Sequence, residues 1–133
     1  MANPAAQLAG VLQACIKRSP KPSRGHAKTA HARVLAAGLA GDTFLLNRVV
    51  ELYSLSGLPR DALRAFRNLP RPNAYSYNAA LSAASRAGDL DAARTLLDEM
   101  PEPNVVSWNT VIAALARTER AGEALELYEG MLR

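Results

Sequence analysis

From residue 43 onward, apolar positions recur at intervals of three and four, the spacing of one face of an α-helix. Leu81 and Ala84 belong to one such face, and Leu90, Ala93, Leu96 and Leu97 to another. Between them the pattern breaks at Gly88 and Asp89. The break predicts a helix from about Asn73 to Arg86, closed by Gly88 in a left-handed cap. A second helix then runs from Asp89, its N-cap, to about Met100, with Asp91 near the positive end of its dipole. Pro101 and Pro103 forbid continuation. The preceding segment follows the same order: a helix to Ser56, Gly57 as the stop, Pro59 in the next first turn, and a helix to about Leu69. In the last segment "RTERAG" stands where the Ala-Gly-Asp corner is expected.

The pattern repeats at a fixed interval. Aligning residues 70–102 with 101–133 makes 10 of 33 positions identical, among them Pro70/Pro101, Asn73/Asn104, Ser76/Ser107, Asn78/Asn109 and Ala93/Ala124. One step further back, Asn47, Gly57, Ala62 and Leu69 answer to Asn78, Gly88, Ala93 and Met100. Neither helix of a pair can bury its apolar face alone. Small residues recur at Ala83, Ala93, Ala114 and Ala124, where helices must approach closely. Both demands are met by stacked helix pairs, so the expected fold is all-α, a right-handed α-solenoid of helix-turn-helix repeats.

Composition narrows the class. The 133 residues are 49% hydrophobic and 21% charged, which suits a folded domain. No apolar run reaches the ~20 residues of a membrane span. Cys15 is the only cysteine, so there is no intrachain disulfide and no cysteine-based zinc site. The net charge of +4 is unevenly spread. Residues 1–41 contain no Asp or Glu but carry Lys17, Arg18, Lys21, Arg24, Lys28 and Arg33. This section reads as a solvated basic loop, an organelle-targeting segment or a polyanion-binding end.

The Asn-Val-Val-Ser-Trp-Asn run (Asn104 to Asn109), the Asp-Glu-Met-Pro-x-Pro-Asn corner (Asp98 to Asn104) and the 31-residue period resemble the pentatricopeptide repeat, in particular the plant PLS subfamily. "VLQAC" at Val11 to Cys15 and "KTAHARVLAAGLAGD" at Lys28 to Asp42 resemble the two helices of that subfamily's long repeat. An insertion around Pro20 to Gly25 stretches its middle. The resemblance divides the chain into a degenerate long repeat at 1–42, repeats at 43–73 and 74–104, and an incomplete repeat at 105–133. An array that stops at "YEGMLR" is expected to be a fragment or truncated form of a longer one. The tetratricopeptide repeat, with its 34-residue period, does not fit.

Members of that family bind single-stranded RNA at about one base per repeat. By resemblance, base readers sit at the fifth step of each first helix, here Asn47, Asn78 and Asn109, with Ala9 in the degenerate copy. The second readers close each repeat: Asp42, Asn73 and Asn104. Phe44, Tyr75 and Val106, at the second step, sandwich the bases. An amide carries both a donor and an acceptor and can pair with a pyrimidine edge, and the family code assigns pyrimidines to Asn with Asn. Lys17, Arg18 and Lys21 are candidate phosphate contacts. Asn73 and Asn104 also suit helix N-caps. Asn is a poor mid-helix residue, so three at one phase ask for a reason. Tyr77 and Trp108 are expected to pack between repeats, and His31 to be a packing residue.

No catalytic constellation is present. The His-x-Glu and Cys-x-x-Cys of the zinc deaminase domain found in some PLS proteins are missing, and no nucleophile–base pair or Gly-rich phosphate loop appears. The chain reads as a binding module, not an enzyme, with no cofactor, no metal, no small-molecule substrate and no membrane partner. The resemblance implies recognition of C-to-U editing sites in an organellar transcript, with editing-factor proteins as further partners. It implies the mitochondrion, with the chloroplast as alternative. The rival function is a protein-interaction scaffold of the tetratricopeptide type.

Overall fold

The computed structural model describes residues 3–17 and 24–132. Eight α-helices make up these residues: α1 (Pro4–Ile16), α2 (Arg24–Ala36), α3 (Thr43–Leu55), α4 (Pro59–Arg67), α5 (Ala74–Ala87), α6 (Leu90–Glu99), α7 (Val105–Arg117) and α8 (Ala121–Met131). The described residues contain no strand and no helix long and apolar enough to cross a membrane. Helices α3, α4 and α6 end one or two residues earlier than the apolar pattern suggests, because capping residues take the terminal places, whereas α5 runs one residue further, to Ala87. Ser56, Asn68 and Met100 each close a helix this way.

Local chemistry explains the boundaries. Asn73 and Asn104 cap α5 and α7 in reciprocal boxes: each side chain accepts from the backbone N–H of Ser76 or Ser107, whose hydroxyl accepts from the cap's own N–H. Asp42 and Asp89 cap α3 and α6 by accepting from Leu45 N and Ala92 N. Gly57 and Gly88 follow α3 and α5 with φ of 78° and 75°. There the backbone N–H of the residue after the glycine reaches back five residues, from Leu58 to Tyr53 and from Asp89 to Ala84. The same closure joins Arg120 N to Leu115 O after α7, with Glu119 at φ 62° in the place of the glycine.

Odd-numbered helices stack directly, α1 on α3, α3 on α5 and α5 on α7. Even-numbered helices pack against the odd helices before and after them but not against each other. The row of even helices is therefore the splayed, outer one, and the odd helices line the inner side of the α-solenoid. Long side chains bridge the outer row: Arg67 of α4 reaches Glu99 of α6 at 2.7 Å, and Arg94 of α6 reaches Glu123 of α8 at 3.1 Å. The core between rows is continuous from Leu12 through Val49, Leu52, Leu81, Leu96 and Leu115. The recurrent Ala83, Ala93, Ala114 and Ala124 are all buried, as close helix approach requires.

Candidate nucleic-acid interface

Successive odd helices bring the predicted reader positions together in pairs. Between α3 and α5 lies a cleft of about 190 Å³ lined by Phe44, Asn47, Arg48, Asn73 and Tyr75. Four of these five are candidate base-contacting residues, drawn from two repeats. Phe44 and Tyr75 are large apolar side chains left 57% and 41% exposed.

A polar relay forms the floor. Asn47 Nδ2 donates to Asn73 Oδ1 at 3.2 Å, and Asn47 Oδ1 accepts from Ser76 Oγ at 2.6 Å. Helix phase explains the arrangement: a fifth-step amide points at the capping box that starts the next odd helix. The relay recurs one repeat later, where Ser107 Oγ donates to Asn78 Oδ1 at 2.8 Å and also lies 3.0 Å from Asn104 Oδ1. Burial of the three equivalent amides is graded. Asn47 is buried at 3% exposure, Asn78 is half-buried and Asn109 is exposed. Neighbours set the gradient, since Asn47 and Asn78 have the capping box of a following repeat over them.

Asn73 and Asn104 thus serve as N-caps and as neighbours of the reader amides at once. The cap uses the Oδ1 acceptor in both. Asp42 caps α3 and is half-buried, and Ala9 packs partly buried against the core, where it offers no hydrogen-bonding group. Val106 lies exposed at the second step of α7. Lys17 is exposed at the end of α1. Arg18 and Lys21 lie outside the described residues.

Further residues emerge that sequence reasoning did not single out. Ser76 and Ser107 are wholly buried and link reader to cap; their 31-residue recurrence was the available signal. Arg48 and Glu51 pair at 3.1 Å, and the Tyr75 hydroxyl bonds to both. Burial and the Glu51 carboxylate push the Tyr75 phenol up to about 12. Tyr77 packs edge-on against Phe66 of the preceding repeat, with ring centroids 5.0 Å apart. Trp108, at the equivalent step, packs partly buried against the core. His31 Nδ1 lies 2.8 Å from the Tyr53 hydroxyl, and burial lowers its pKa. No group of His, Cys, Asp and Glu among the described residues could hold a metal ion.

Comparison with known proteins agrees with the repeat geometry. The family described as PPR repeat matches residues 75–105 and 106–133. A chloroplastic pentatricopeptide repeat-containing protein of Arabidopsis thaliana is 31% identical over 84 residues, 63% of this chain and 12% of the relative. A second from the same plant, named as chloroplastic/mitochondrial, is 30% identical over 73 residues, 55% of this chain and 11% of the relative. A third, putative by its own name, is 40% identical over 68 residues, 51% of this chain and 10% of the relative. The chain spans about a tenth of the length of these relatives. Two matched repeats, their helix pairs and these relatives together make the chain a member of the pentatricopeptide-repeat family.

Proposed function

We propose that the chain binds single-stranded RNA, placing one base in each cleft between successive odd helices. The cleft of Phe44, Asn47, Asn73 and Tyr75 is the observation that carries this reading. Two exposed rings flank a gap whose floor presents amide groups. Base–aromatic stacking is worth ~1–3 kcal/mol per base, and an amide pairs with the donor–acceptor edge of a pyrimidine. The relay holds Asn47 Oδ1 on Ser76 and its Nδ2 on Asn73; at 3% exposure its remaining N–H reaches a base oxygen, such as a pyrimidine carbonyl, once the side chains over it move aside. In this reading the equivalent pair Asn78 and Asn104 takes the next base, with Tyr75 and Val106 at the flanking second steps. Asn109 stands ready for a third base.

The finer role we propose is recognition of C-to-U editing sites in an organellar transcript, with editing-factor proteins as partners. The resemblance to PLS repeats supports it. The compartment is an organelle, mitochondrion or chloroplast; the relatives' names include both. Lys17, with Arg18 and Lys21, supplies phosphate contacts in this reading.

The test is base preference. Binding curves of the wild type and Asn78→Thr on C-, U-, A- and G-substituted oligomers are compared. A hydroxyl replaces an amide's paired donor and acceptor, so the preferred base at one position shifts toward purine. Lys17→Ala instead weakens all sequences alike and lowers the salt slope. Equal loss on every base in Asn78→Thr makes the asparagine structural and puts the scaffold reading first.

A further inference from the structure

The first cleft is not empty of protein. The Arg48 guanidinium lies over both flanking rings, its carbon 5.1 Å from the Phe44 centroid and 4.9 Å from that of Tyr75. Glu51 holds it from below at 3.1 Å, and the Tyr75 hydroxyl bonds to both members of the ion pair. Arg48 is largely covered as a result, with 20% of its side chain exposed. A flat, weakly hydrated cation stacked on rings takes the same place a flat base takes. The arrangement belongs to this repeat alone: the positions equivalent to Arg48 and Glu51 are Ala79 and Ser82 in the next repeat, and Thr110 and Ala113 in the last.

We propose that Arg48, latched by Glu51, is a specificity-determining gate that fills the first base slot in the free protein, so that a base enters only by displacing it. The inference rests on the reading of this cleft as a base slot. It makes the slots unequal. The slot at Tyr75 and Val106 accepts a base directly, whereas the slot at Phe44 and Tyr75 admits only a base that stacks and pairs well enough to replace two cation–π contacts. Weakly stacking bases are rejected there more strongly than elsewhere along the array. The displaced guanidinium leaves the rings and stays paired with Glu51.

The gate predicts a sign opposite to plain electrostatics. Removing a cation from a polyanion binder ordinarily weakens it. Arg48→Ala is expected to tighten binding of a short labelled oligocytidine or oligouridine roughly tenfold, the size of two exposed cation–π contacts. The change leaves the salt slope nearly unaltered, and it narrows the discrimination between cytosine and uracil at the first slot. Glu51→Gln, which loosens the latch, gives a smaller gain in the same direction. In the free wild-type protein the Arg48 side-chain protons resonate upfield from the ring currents of Phe44 and Tyr75, and addition of oligocytidine returns them to ordinary values.

Weaker binding by Arg48→Ala together with a lower salt slope overturns the gate and makes Arg48 a phosphate contact. Unchanged affinity overturns it as well, as do Arg48 protons without an upfield shift in the free protein. Binding by the wild type with no gain in the variant sinks the gate alone. No binding of any oligomer by either protein, with both folded by circular dichroism, sinks the RNA reading and the gate with it.

Discussion

Glu119→Gly is expected to stabilise the protein, although it removes a side chain and adds a glycine. Glu119 occupies the left-handed region at φ 62°, in the position that Gly57 and Gly88 hold at 78° and 75°. The backbone closure from Arg120 N to Leu115 O imposes that conformation. A left-handed residue with a Cβ costs ~1–2 kcal/mol relative to glycine. Glycine returns ~0.5–1 kcal/mol of this through its freer unfolded chain. The net gain is ~0.5–1 kcal/mol. At ~2.1 cal/mol/K per residue, the 133 residues carry an unfolding entropy of ~0.28 kcal/mol/K, so the melting temperature rises by ~2–4 °C. Gly88→Ala supplies the mirror experiment. A Cβ there meets nothing within 4 Å, so no clash confuses the outcome and the loss is the backbone term alone. Thermal melts followed by circular dichroism give the global effect. Amide exchange in α7 and α8 gives the local one, which matters in a stack whose repeats are stabilised by nearest neighbours. A lower melting temperature for Glu119→Gly, or a higher one for Gly88→Ala, refutes the reasoning.

Other outcomes follow from single side chains. The hydroxyls of Ser54 and Ser85, one repeat apart, are buried without a hydrogen-bond partner, and the third repeat already has Ala116 at that step; Ser85→Ala should therefore stabilise by ~0.5–1 kcal/mol in a denaturant melt, and destabilisation would show that the hydroxyl has a partner in solution. Ser76→Ala removes both the capping-box acceptor and the donor to Asn47; it should cost ~1–3 kcal/mol, and a loss below ~0.3 kcal/mol would mean that the relay is not formed in solution. Burial lowers the His31 pKa below its ordinary 6.5, against a smaller opposing effect of Asp61, so the unfolded chain takes up a proton first and stability falls as pH drops below about 6.5; His31→Gln should flatten that part of the profile relative to wild type, and parallel profiles would contradict the assignment.

Much of the architecture is written in local chemistry. The 31-residue recurrence, the glycine stops at 57 and 88, the aspartate and asparagine caps and the proline linkers each act within a few residues of themselves. For that reason the helix pairs from residue 43 onward could be read without coordinates. The candidate readers were legible for a related reason: equivalent steps of equivalent helices must point the same way. What each reader meets depends on the next repeat, and only the tertiary structure decides that. Asn47, Asn78 and Asn109 are interchangeable in the sequence, yet Asn47 and Asn78 lie under the capping box of a following odd helix, whereas Asn109 is exposed. Arg48 carries no signal in its own helix. Its place over Phe44 and Tyr75 arises because α5 brings a second ring and a hydroxyl against the first ring and the Glu51 carboxylate. Glu119 shows the converse: its own preference is for a right-handed backbone, and the packing of α8 onto α7 holds it in the left-handed one, since helix-on-helix burial outweighs the backbone strain of one residue.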